Sequence, residues 1–152
     1  MRSRKKIAVI DGQGGGIGSA LILKIKERLG ESVEIVALGT NAIATAQMLK
    51  AKANRGASGE NAIVRTSQQV DMIVGPLAII LAHAMMGELT PAMAAAVAAS
   101  PAPKLLLPLT QENVTVIGSS IGPLPHLVAE LVETLVAQID KSSGAADKMK
   151  DG

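Results

Sequence analysis

Residues 11 to 18 read DGQGGGIG, and five of the seven positions from Gly12 to Gly18 are glycine. The apolar, β-branched run KIAVID precedes them and an amphipathic stretch from Ile17 to Leu29 follows, so the glycines occupy a strand-to-helix turn. Removing Cβ atoms at such a turn lets successive backbone N–H groups, and the positive end of the helix, converge on one anion. A plain turn needs only one or two glycines. The loop is therefore read as a phosphate cradle with Asp11, Gly12, Gln13, Gly14, Gly15, Gly16, Ile17 and Gly18 as its contacts. Asp11 brings a charge of the same sign as the ligand. It can order the loop through backbone N–H groups, bind a ribose hydroxyl, or hold a metal that accompanies phosphate.

Two further segments belong to the same expected cleft. An acidic ligand for the ribose of NAD is expected at the end of the second strand, about 20 residues beyond the glycines. Gly39, Thr40 and Asn41 stand there instead. They offer uncharged hydrogen bonds and room for a phosphate, while NADP would call for an arginine that is not evident. Gly75 and Pro76 end another strand and form a second wall if that strand lies beside the first. The partner is then a phosphate-bearing small molecule, a nucleotide or dinucleotide, with NAD(P) among the candidates.

Catalytic chemistry has less support. Cysteine is absent, no G-x-S-x-G elbow occurs, and His83 and His126 lack metal-ligand spacing, so no metal site is expected and no catalytic residue is assigned. His83, in LAIILAHAMM, reads as a packed or interface histidine. One alternative function is an enzyme acting on a phosphorylated metabolite, with Asp11, aided by Glu60, as acid/base or metal ligand. Another is a ligand-free homodimeric interaction module, suggested by Met85, Met86, Met93 and the alanines from Ala94 to Ala99.

The elements that must position these residues alternate along the chain. Strands are predicted at Lys6–Asp11, Val33–Leu38, Asp71–Gly75 and Lys104–Leu107, and at Val114–Ile117. Helices are predicted at Ile17–Leu29, after an Asn41 N-cap, over Glu60–Gln69, after Pro76, after Thr90–Pro91, and over Pro125–Asp140. ANRGASG, from Ala53 to Gly59, reads as a loop, and Ser58 or Asn61 as the cap of the helix after it. PLTQEN is too short for a parallel crossover, which predicts an antiparallel hairpin at the sheet edge. The sum is a Rossmann-like α/β fold: a three-layer sandwich around a mostly parallel sheet of about five strands with an antiparallel edge strand. Residues 1–140 form one domain, and 141–152 a flexible tail.

Composition narrows the partners. The 152 residues are 48% hydrophobic and carry a net charge of +2, much of it in the basic start, which is no footprint for nucleic acid. The longest apolar stretch, Leu77 to Met86, is too short to span a bilayer, and MRSRKK is not followed by an export signal, so the expected location is the cytoplasm. No Phe, Tyr or Trp is present, so a bound base must lie between aliphatic side chains. The alanine-rich surface predicts a homodimer.

DGQGGGIG resembles the T-G-x-x-x-G-x-G loop of the short-chain dehydrogenases and reductases, with Gly12, Gly16 and Gly18 in register and Asp11 at the threonine. The Y-x-x-x-K pair of that superfamily has no counterpart here, so its hydride-transfer mechanism does not carry over. Through most of residues 6 to 140 the chain is similar to a bacterial family known as domain of unknown function 3842. The likeness is carried by IAVIDGQGGGIG, ALGTNAIAT, GASGENAIV, IVGPLAII and MMGELTPAM. It implies an α/β nucleotide-binding-like fold and no established activity.

Overall fold

A computed structural model describes residues 3–109, 112–119 and 122–150, with side chains to residue 143 in the last helix. The elements run β1 (Lys5–Asp11), α1 (Gly16–Leu29), β2 (Val33–Gly39), α2 (Ala42–Lys50), β3 (Arg55–Ser58), α3 (Glu60–Thr66), β4 (Met72–Pro76), α4 (Pro91–Ala99), β5 (Lys104–Leu107) and α5 (Leu124–Lys150). The five strands form one sheet in the order β3-β2-β1-β4-β5. All four pairings are parallel.

Alternation along β1 divides the core. Ile7 and Val9 face α1, α2 and α5 together with Leu21, Ile22, Met48 and Leu131. Ala8 and Ile10 face α3, α4 and the Leu77–Leu89 connection with Ile63, Ile79, Leu89 and Val97. A sheet buried on both faces needs near-continuous apolar strands, which KKIAVID and VEIVALG supply. The helix boundaries have local causes. The Asn41 side chain accepts from the Ala44 N–H at 2.8 Å, and Thr90 Oγ1 from the Met93 N–H at 3.2 Å with Pro91 at the first helical position.

Six expectations need correction. The edge is not antiparallel: β5 pairs with β4 in parallel, and Val114–Ile117 is not a strand. β-branched residues favour a strand only where a partner and a packed face exist; here Val114, Val116 and Ile117 are exposed, and the chain turns at Gly118. Thr110 and Gln111 of the expected hairpin connection lie outside the described residues. The ANRGASG loop contains β3, paired to β2 from Val36↔Arg55 to Gly39↔Ser58. The segment after Pro76 makes only one short 3₁₀ turn, Leu77–Ile80. α3 is capped by Gly59, with no side-chain cap from Ser58 or Asn61; the Ser58 hydroxyl donates to Thr45 Oγ1 instead, at 2.7 Å. His83 is exposed rather than packed. α5 continues past Asp140 to Lys150.

Candidate functional site

The strand order reverses between β1 and β4, and α/β sheets hold ligands beyond the carboxyl ends of strands at that point. A cleft of about 710 Å³ opens there, within the range of small-molecule sites. Its floor is Asp11, Gly12, Gln13 and Ile17; Pro76 and Ala78 form one side, His83, Met85, Met86 and Gly87 another, and Leu109 and Glu112 close it. Of the expected contacts, Asp11, Gly12, Gln13, Ile17 and Pro76 thus line one cavity.

The glycine loop is braced from within. Asp11 is buried; its Oδ1 accepts the Gly12 N–H at 2.8 Å and its Oδ2 the Gly18 N–H at 2.7 Å. The Ile17 N–H donates to the same carboxylate. Burial pushes the Asp11 carboxyl above its ordinary range, against the pull of these three backbone donors, and the nearby charge of Glu88 pushes the same way. A dinucleotide phosphate held at a first helical turn uses such amides. Here the protein's own carboxylate uses them.

Close approach accounts for several glycines. A Cβ on Gly18 would stand 2.6 Å from Met48 Sδ and 3.0 Å from Asp11 Cβ. One on Gly12 would meet Met85 Sδ and Thr40 Oγ1, both at 2.5 Å. Gly39 is held clear for Thr45 Oγ1, and Gly75 for the Ile10 carbonyl, so packing by itself accounts for glycine at both. Gly15, at φ 73°, lies against the Ala44 backbone and precedes α1 in a conformation few side chains tolerate. Gly14 and Gly16 differ. Both are exposed, and nothing lies within 4 Å of the Cβ that either could carry.

Thr40 and Asn41 do reach the loop, through a residue that sequence reasoning missed. Glu88 Oε1 accepts from the Thr40 hydroxyl at 2.6 Å, from Asn41 Nδ2 at 2.7 Å and from the Gln13 N–H at 2.9 Å. Asn41 Nδ2 also donates to the Gln13 carbonyl at 3.1 Å, while its Oδ1 caps α2. Burial raises the Glu88 carboxyl, but its hydrogen bonds from Thr40, Gln13 and Asn41 outweigh that and hold it below its ordinary value. The signal in the sequence is composition: Glu88 is the only acidic or basic residue, histidine aside, between Asp71 and Lys104.

The segment carrying Glu88 is a closed turn. His83, Met85 and Met86 have φ of 70°, 58° and 56°, which costs non-glycine residues about 1 kcal/mol each. Burial of Ala84, Met85 and Leu89, the His83 N–H to Leu89 carbonyl bond at 2.7 Å, and the Met85 N–H donating to Glu112 Oε1 at 2.8 Å offset that strain. Met86, by contrast, is exposed. In α4, Met93, Ala94 and Val97 are core, and Ala92, Ala95, Ala98 and Ala99 face outward. Among the described residues no group of three or more His, Asp and Glu side chains is placed to hold a metal, and no helix is long and apolar enough to cross a membrane.

These features define a doubly wound α/β protein with a ligand-sized cleft at the switch point of its sheet. The chain belongs to the family described as domain of unknown function DUF3842, whose model matches residues 6–140. Comparison with curated proteins finds no match. Among solved structures, a universal stress protein in complex with cAMP is similar at 18% identity with a TM-score of 0.41, covering 69% of this chain and 98% of that one.

Proposed function

We propose that the protein binds a nucleotide or dinucleotide at the DGQGGGIG loop, the phosphate lying over Gly14 and Gly16 and the rest of the ligand entering the switch-point cleft. The observation that carries this reading is the contrast among the loop glycines. Gly12, Gly15 and Gly18 are required by the protein's own packing or backbone. Gly14 and Gly16 are required by neither; among the described residues nothing accepts from their N–H groups, and the space above them is open. A backbone kept bare where the protein itself makes no use of it suits close approach by a ligand. Ile17, Met85 and Leu109 provide the aliphatic walls that a base needs in a chain without aromatic residues.

Asp11 belongs to the frame of this site, since both of its oxygens are engaged by loop amides. No observation favours it as an acid, base or metal ligand. Thermal-shift and calorimetric titrations with ATP, NAD and NADP test the reading, with Gly14→Asp as control. The wild-type protein should be stabilised and the variant not. Equal responses would remove the loop from the site. Absorbance near 260 nm reports co-purified nucleotide directly, because the chain lacks Trp and Tyr. We also propose a homodimer formed through the outward alanines of α4, for which light scattering should give twice the chain mass.

A further inference from the structure

We infer that Glu88 is the acceptor for a ribose diol, so that the site selects nucleotides with free 2′- and 3′-hydroxyls; this rests on the nucleotide reading above. In dinucleotide-binding sheets a carboxylate at the end of the second strand takes the ribose hydroxyls. β2 ends in Gly39 followed by Thr40 and Asn41 and brings no acid of its own. The fold supplies one from elsewhere: Glu88 crosses from the β4–α4 connection and is fixed on Thr40, Asn41 and the Gln13 amide.

The geometry separates the two oxygens. All three donors converge on Oε1, at 2.6 to 2.9 Å, and among the described residues none reaches Oε2. A carboxylate anchored through one oxygen is preorganised to accept at the other, and Glu88 is only half-buried, so a ligand can reach it. The surrounding charge decides what it accepts from. Glu88 stands beside the cleft, bonded to Gln13 of its lining; Asp11 and Glu112 line that cleft, and among the described residues no lysine or arginine does. A phosphate brought to Glu88 would meet like charge with no cation to offset it, whereas a hydroxyl donates its proton to the carboxylate at no such cost.

Calorimetry with four probes tests this. Wild-type protein should bind ATP about tenfold more tightly than 2′-deoxy-ATP, the scale of one charge-assisted hydrogen bond, and NAD at least about tenfold more tightly than NADP, which carries a 2′-phosphate. Glu88→Ala should abolish the NAD preference, and Glu88→Gln should reduce it, with circular dichroism verifying that both variants fold. The ATP pair needs no variant, so the inference stays open to refutation if neither does. Equal wild-type affinities for ATP and 2′-deoxy-ATP, or an unchanged NAD to NADP ratio in a folded Glu88→Ala, would overturn the ribose role and leave the binding site standing. A wild-type protein that binds none of the four probes overturns both.

Discussion

Two carboxylates grip the same glycine loop, and they do so under opposite conditions. Asp11 sits beneath it, buried at the end of β1, and its donors lie within seven residues of it. Glu88 sits at its rim, half-buried, 75 residues from the amide it accepts. Burial dominates for Asp11 and raises its pKa; hydrogen bonds prevail for Glu88 and lower it. The inner carboxylate is thus a fixed part of the loop that is costly to keep charged. The outer one is held ionised at the surface, where a ligand can use it.

Removing the inner brace should have the largest effect. Asp11→Ala leaves the Gly12, Ile17 and Gly18 N–H groups without their acceptor at a buried position, which costs about 3 kcal/mol and lowers the thermal midpoint by roughly 10 °C. Calorimetric unfolding checks this, and a loss under about 1 kcal/mol would show that the loop does not depend on Asp11. Gly18→Ala comes next. Its Cβ must displace Met48 or Asp11, so overpacking should cost about 1–3 kcal/mol in denaturant titrations.

The acid limb of the stability curve separates the two groups by sign. The folded pKa of Asp11 is raised above the ordinary 3.8, so the stability it contributes is full below that value and is lost as pH rises through the folded pKa. Glu88 is lowered below the ordinary 4.5; its contribution is full above 4.5 and is lost as pH falls through the folded pKa. Glu88→Gln should therefore flatten the loss of stability below pH 4.5, and Asp11→Asn should steepen it. Denaturant midpoints measured across the acid range decide this, and slopes that change in the same direction in both variants contradict the contrast.

The inner brace was far easier to read in the sequence than the outer. KIAVID, the glycines and the spacing of Ile17 to Leu29 are local patterns, and local patterns predict β1, α1 and their turn; Asn41 and Thr90–Pro91 act the same way for α2 and α4. Non-local features were hidden. β3 is four exposed residues, RGAS, with no strand signature, and it exists because β2 presents an open edge and Gly56 lets Thr45 and Leu49 close over it. Val114–Ile117 has the opposite property, strong strand propensity without a partner. Pro76 suits the first turn of a helix through LAIILAHAMM, yet the chain leaves helical geometry at Leu81 and closes the turn that delivers Glu88. No periodicity encodes a contact between Glu88 and Thr40.

The smallest stability effect is also the sharpest test of the loop. Gly14 and Gly16 have no close neighbour and no positive φ, so the folded chain accommodates a methyl group at either without strain. Gly14→Ala and Gly16→Ala should then leave unfolding within about 0.5 kcal/mol of wild type, or raise it slightly as the unfolded chain loses freedom. If these positions are bare for a ligand's sake, the same two methyl groups should weaken nucleotide binding severalfold while Gly12→Ala and Gly18→Ala act chiefly on stability. Stable Gly14 and Gly16 variants that bind as well as wild type would mean that the open glycines serve neither the fold nor a phosphate, and the contrast within the loop would lose its functional meaning.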